Sequence, residues 1–274
     1  MPIESDSALT ALKLTTSSLA PVFCVPGAGA NVLCLVPLAN AIGKLRSVYG
    51  FQSRGLDGEQ PPHSSVAAIA ADYLRQLRRV QPAGPYHLIG HSFGGWVVFE
   101  MALMLRAAGE EVATLALLDS APPSLRGNNL QEQDPVGVML EFVMTLEDAQ
   151  DKALGLSRGM LEALGEEERL LLLKARMVGQ KMISPHTPQK LFEGLYRVYC
   201  VQIATPYQPN AAYPDHVLLI EAAQRARRAG RFAGWQQYAP RMSGASVAAT
   251  HMSMLTAPFA VEVASMVFNE NVTP

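Results

Sequence analysis

The sequence predicts an α/β fold, a mostly parallel central sheet with helices on both faces and a helical insertion. Three observations carry this expectation. Continuous apolar runs, suited to strands covered on both sides, alternate with stretches of helical periodicity. One long segment between two such runs is free of strand-like runs and reads as helix. The chain's 274 residues suffice for one large domain with a substantial core.

In chain order, Pro21-Val22-Phe23-Cys24-Val25 reads as a strand that ends in the loop Pro26-Gly27-Ala28-Gly29-Ala30. A helix follows over about Leu33 to Ile42, then a strand at Ser47-Val48-Tyr49-Gly50-Phe51 and a turn from Gln52 to Gly58. Ser65 to Val80 is a helix with Val66, Ile69, Ala70, Tyr73, Leu74 and Leu77 on one face. Pro85 to Ile89 is a short buried strand, Gly95 to Arg106 a helix packed on two faces, and Val112 to Leu118 another buried strand. Between Pro123 and about Thr205 the pattern changes to amphipathic segments at about Val136 to Glu147, Ser157 to Met182 and Pro188 to Ile203. Strand character returns at Asp215 to Glu221 and Ala245 to Ala248, and Pro258 to Phe268 closes the chain as a helix. Helices inserted just after a sheet's carboxyl edge are expected to sit over the site as a lid, here over about residues 123–205 of a single domain spanning 1–274.

Composition narrows the function classes. Hydrophobic residues make up 49% and charged residues only 17%, which suggests an apolar groove or partner surface. A formal net charge of −2 gives no electrostatic case for nucleic acid or an anionic membrane. Cys24, Cys34 and Cys200 are an odd, scattered set that matches neither a metal spacing nor a disulfide framework, so a reducing compartment is expected. Met1 to Thr16 shows no signal-peptide pattern, and no apolar stretch is long enough to span a bilayer. A cytoplasmic location is the expectation.

Gly90-His91-Ser92-Phe93-Gly94 lies between a strand and a helix. A G-x-S-x-G in that setting is a nucleophile elbow, whose sharp turn lifts the serine hydroxyl clear of both elements. Glycines are required there because a side chain would strike the neighbouring strand or helix. A serine hydroxyl attacks poorly until a base takes its proton, so a histidine and an orienting carboxylate are needed. Of the six histidines, His87 lies within a strand, and His91 is too strained and too close to Ser92 to serve. His63 lies in a Pro-rich loop, His186 in the insertion, and His216 at a strand start. His251 falls in a loop between the last strand signal and the closing helix, where the base of a Ser, acid, His chain order belongs.

Two residues are candidates for the acid. Asp119 ends Leu115-Ala116-Leu117-Leu118-Asp119, and Glu221 ends Val217-Leu218-Leu219-Ile220-Glu221. Both lie on the catalytic edge of the sheet, and the residues alone leave the choice open. The oxyanion formed on attack needs backbone donors, expected from the amide of Phe93 and from the loop after the first strand, at Gly27 with Ala28 as the alternative. Arg225, Arg227, Arg228 and Arg231 form a basic cluster that reads as a solvated helix face, with contact to an acidic partner protein or a phosphate as the alternative.

Phe23-Cys24-Val25-Pro26-Gly27-Ala28-Gly29, Gly50-Phe51-Gln52-Ser53-Arg54-Gly55, Gly84-Pro85-Tyr86-His87-Leu88-Ile89-Gly90-His91-Ser92-Phe93-Gly94-Gly95 and Leu117-Leu118-Asp119 together resemble the thioesterase domains of nonribosomal peptide and polyketide synthetases. These are α/β-hydrolases. The resemblance runs from about Pro21 to Phe268, dense through Pro123 and thin across the insertion. It implies that Asp119, on the strand after the elbow helix, is the acid. It also implies transfer of an acyl, peptidyl or polyketide chain from the phosphopantetheine thiol of a carrier protein or carrier domain onto Ser92. Release to water or to a nucleophile within the chain follows, with no cofactor or metal bound by the domain itself. No carrier domain is read in the chain, so an excised terminal domain or a free-standing enzyme is expected. The rival readings are a stand-alone editing thioesterase, a carboxylesterase or lipase acting on small oxygen esters, and a catalytically idle module that binds acyl carriers.

Overall fold

The protein is described here by a computed structural model covering residues 8–125, 134–224 and 230–268. Its strands are β1 (Leu9–Lys13), β2 (Val22–Val25), β3 (Val48–Phe51), β4 (Tyr86–His91), β5 (Val112–Leu118), β6 (Val217–Ala222) and β7 (Met242–Val247). Its helices are α1 (Val36–Ile42), α2 (Val66–Val80), α3 (Phe93–Ala107), α4 (Pro135–Gln150), α5 (Arg158–Glu162), α6 (Glu166–Gly179), α7 (Gln189–Ala204), α8 (Arg231–Gln236) and α9 (Phe259–Phe268). The strands form one sheet in the order β1-β3-β2-β4-β5-β6-β7. β1 is antiparallel to β3 and the other neighbours are parallel, so the expected mostly parallel sheet is present.

Alternation along the strands separates two cores. Val22, Cys24 and Ile89 pack with α1 and α9 on one face. Phe23, Val25 and Leu88 pack with α2, α3 and Trp235 of α8 on the other. The α2 face is the one its periodicity predicts, and Ser65 caps the helix by accepting from the Ala68 amide at 3.1 Å. β4 is buried along its whole length, as a central parallel strand requires.

Local chemistry accounts for the main departures from the sequence reading. β1 is an additional strand: Leu9-Thr10-Ala11-Leu12-Lys13 is short, and its partner β3 completes its hydrogen bonds at the sheet edge. The helix expected from Leu33 starts as a tight turn over Val32–Leu35, capped by the Asn31 carboxamide, before α1 begins at Val36. The single helix expected over 157–182 is two, because Gly165 starts α6 anew and its amide donates to the Glu168 carboxylate at 2.8 Å. β7 starts at Met242, ahead of its apolar signal, because pairing with β6 holds the exposed Ser243 and Gly244 in the sheet.

Helices α4 to α7 lie between β5 and β6 in the chain and share a separate apolar core that includes Met139, Phe142, Leu161, Leu173 and Phe192. Helix α7 docks on the loops after β2 and β3. A Cβ on Gly29 would stand 2.6 Å from the Tyr199 Cβ, and one on Gly194 would stand 2.6 Å from the Gly58 amide nitrogen. Gly29 has φ +63°, so small size and left-handed backbone are both demanded there.

Candidate active site

The turn between β4 and α3 holds Ser92 at φ 53° and ψ −120°, a conformation disfavoured for any side-chain-bearing residue. The neighbouring glycines are sterically obligatory. A Cβ on Gly90 would meet the Gly94 carbonyl oxygen at 2.3 Å, and one on Gly94 would meet the Val25 carbonyl oxygen at 2.3 Å. Both obstacles are backbone and cannot swing away. The Ser92 amide donates to the Leu118 carbonyl at 2.8 Å, carrying the β4–β5 ladder into the turn. The strain expected at His91 falls one residue later, because His91 remains in β4 opposite Leu118 and the chain turns sharply at Ser92.

Asp119 follows β5 directly. Its amide donates to the Ile220 carbonyl at 2.8 Å and its φ is 46°, so the backbone turns sharply at the sheet's carboxyl edge. The side chain is fully buried. One carboxylate oxygen, Oδ2, lies 2.6 Å from His251 Nδ1; the other, Oδ1, accepts from the Ala222 amide at 3.3 Å and from Arg231 Nη1 at 3.1 Å. An ionised carboxylate only accepts, so Nδ1 is the donor in this bond and Nε2 is the ring nitrogen free of Asp119. Asp119 is thus the carboxylate that meets the imidazole, while Glu221 is paired with Ser246 in the β6–β7 register.

The His251 loop is held from two sides. His91 Nε2 donates to the His251 carbonyl at 2.9 Å, and the two imidazole rings lie 4.4 Å apart. The next amide, Met252, donates to Asp148 Oδ2 of α4 at 3.0 Å, joining the insertion to this loop. A cavity of about 210 Å³ opens beside His251, lined by Met144, Thr145, Asp148, Gln224 and Thr250.

The loop after β2 runs against the turn. A Cβ on Gly27 would stand 3.3 Å from the Ser92 Cβ and 3.2 Å from His91 Nδ1, so this backbone passes beside the serine. Phe93 is the first residue of α3, where amides have no acceptor within the helix. Buried Gln202 of α7 ties the loop down: its Oε1 accepts from the Gly29 amide at 2.8 Å and its Nε2 donates to Ser53 Oγ at 2.9 Å. The contacts of Gln202 and Asp148 join segments far apart in the chain, and no local pattern signals them.

The remaining histidines have other surroundings. His87 is buried, with Nδ1 2.8 Å from Thr114 Oγ1 and Nε2 3.1 Å from Arg46; burial and then the Arg46 charge push its pKa down to about 4. His63 lies 3.8 Å from Asp72, and His216 shares a hydrogen bond with Ser243 Oγ. His186 is exposed in the insertion. Arg225, Arg227 and Arg228 lie outside the described residues. Arg231 departs from the solvated-face expectation, because its guanidinium is drawn onto the buried Asp119 carboxylate and only 13% of the side chain is exposed. The cysteines are free thiols, and burial pushes Cys24 and Cys34 up to about 12. Among the described residues no His, Cys, Asp and Glu cluster is arranged to hold a metal, and no helix is long and apolar enough to cross a membrane.

A mostly parallel sheet with a serine elbow at its carboxyl edge, an acid after the next strand and a histidine in the loop after the last strand is the arrangement of the α/β-hydrolase class. A family model described as "Thioesterase domain" matches residues 20–176. The chain belongs to the thioesterase domain family. A dimodular nonribosomal peptide synthase of Bacillus subtilis (strain 168) is 43% identical over 121 residues, which cover 43% of this chain and 5% of the synthase. An indigoidine synthase of Streptomyces lavendulae is 39% identical over 126 residues, 46% of this chain and 10% of that protein. The matched region therefore spans a tenth or less of these curated relatives. Among solved structures, the Vlm2 thioesterase domain bound with a dodecadepsipeptide superposes with a TM-score of 0.71 at 22% identity, covering 97% of this chain and 99% of that one.

Proposed function

We propose that this chain is a product-releasing thioesterase that takes an acyl, peptidyl or polyketide chain from a carrier's phosphopantetheine thioester onto Ser92. The observation that carries the reading is the Asp119–His251 hydrogen bond at the sheet edge next to the strained Ser92 turn. In this account His251 Nε2 accepts the Ser92 proton as Oγ attacks the thioester carbonyl, and Asp119 stabilises the resulting imidazolium. The Phe93 amide and the Gly27 amide, or that of Ala28, hold the oxyanion. The tetrahedral intermediate collapses with loss of the pantetheine thiol, which takes the proton from His251. Water or a nucleophile within the acyl chain then attacks the Ser92 ester, again with His251 as base, and releases an acid or a macrocycle. Helices α4 to α7 act as the lid, and the Asp148 to Met252 bond couples their position to the base. The carrier partner is supported by the synthetase relatives, which are multidomain, and a peptidyl substrate by the depsipeptide in the Vlm2 neighbour.

The test compares an acyl chain offered as a carrier-bound thioester with the same chain as a simple oxygen ester. The expected result is a preference of at least about tenfold in kcat/KM for the thioester. Cleavage of the oxygen ester alone would favour a carboxylesterase.

A further inference from the structure

We infer that Arg231 is a positioning residue for the acid–base pair, clamping the Asp119 carboxylate and balancing its charge. The inference deepens the reading above and rests on His251 being the base. Arg231 opens α8, and its Nη1 lies 3.1 Å from Asp119 Oδ1 and 3.4 Å from the Asp119 carbonyl oxygen. One guanidinium nitrogen thus spans the side chain and backbone of a single residue. With Oδ1 engaged by Arg231 and the Ala222 amide, Oδ2 is the oxygen left to meet His251 Nδ1. The Asp119 side chain is fully buried, so these donors replace water around an anion that would be costly alone.

The electrostatic consequence has a definite sign. Among the described residues, the charged and titratable groups placed against the pair are Arg231 on α8, His91 at the end of β4 and Asp148 on α4. Arg231 places a permanent cation on the carboxylate, Nη1 to Oδ1 at 3.1 Å. An uncompensated carboxylate favours the imidazolium, whereas a shared one favours the neutral imidazole that can accept a proton. Loss of the guanidinium therefore extends the protonated, inactive form to higher pH.

The experiment measures kcat/KM against pH on an acyl-pantetheine thioester for the parent, Arg231→Gln, Arg231→Lys and His251→Ala. The parent must turn over and His251→Ala must not; failure of either sinks the catalytic reading itself rather than the Arg231 assignment. Given that control, Arg231→Gln is expected to lose about tenfold or more near neutrality, with its acidic limb displaced to higher pH. Arg231→Lys, which keeps the charge, restores the limb. Arg231→Met keeps the apolar stem and replaces the Gln variant if that one does not fold. A neutral variant whose limb superimposes on the parent's overturns the inference. So does a chain that folds with neither neutral residue, which would make the ion pair purely structural.

Discussion

At the residue scale, the choice of acid rests on one hydrogen bond, from His251 Nδ1 to Asp119 Oδ2. Asp119 and Glu221 both end apolar strands at the same edge, and only the fold sets one of them against His251 Nδ1 at 2.6 Å. Asp119→Asn is expected to lower kcat by about a thousandfold or more, since an amide cannot both hold the Nδ1–H tautomer and balance the imidazolium. Glu221→Gln should stay within about threefold in the same steady-state assay. The reverse ranking would reassign the acid. His87 makes a separate prediction about stability. Its pKa falls from 6.5 to about 4 because burial, then Arg46, disfavours the charged ring. The unfolded chain binds a proton between those values and the folded chain does not, so stability should fall as pH drops from about 6.5 toward 4. Thermal unfolding against pH checks this; His87→Gln should flatten the fall over that window, and an unchanged slope would exclude His87 as its source.

At the element scale, helices α4 to α7 carry their own core and touch the body at a few places: the Gly29 and Gly58 loops, Gln202 and the Asp148 to Met252 bond. Such a unit can loosen without unfolding the sheet. Leu173, fully buried in that core, is a suitable probe. Leu173→Ala should cost about 2–4 kcal/mol locally. Hydrogen exchange should accelerate across α4 to α6 while β4 and β5 keep their protection. Uniform acceleration would instead make the insertion part of one cooperative unit. Legibility follows the same division. β2, β4, β5 and α2 were readable because burial on both faces, or on one stripe, imposes apolar runs or a 3.6-residue period. β1 was not, because an edge strand is defined by its partner, and the α5–α6 break was not, because an amphipathic pattern runs on through the Gly165 cap.

At the scale of the whole molecule, the sheet order explains why distant residues meet. β4, β5, β6 and β7 are neighbours, so Ser92, Asp119 and the loop after β7 reach one edge from residues as far apart as 92 and 251. The sharp turn at Ser92 was legible from local pattern, and chain order pointed to the loop whose His251 the fold sets against Asp119. The Arg231, Gln202 and Asp148 contacts were not, since each joins segments far apart in sequence and none needs a local signal. Acyl transfer to Ser92 is tested by intact mass of the protein after exposure to a short acyl-pantetheine thioester, beside Ser92→Ala. A single acyl adduct is expected on the parent, absent from the variant, and discharging to free acid or cyclic product. No adduct and no turnover with any thioester, while simple oxygen esters are cleaved, would contradict it.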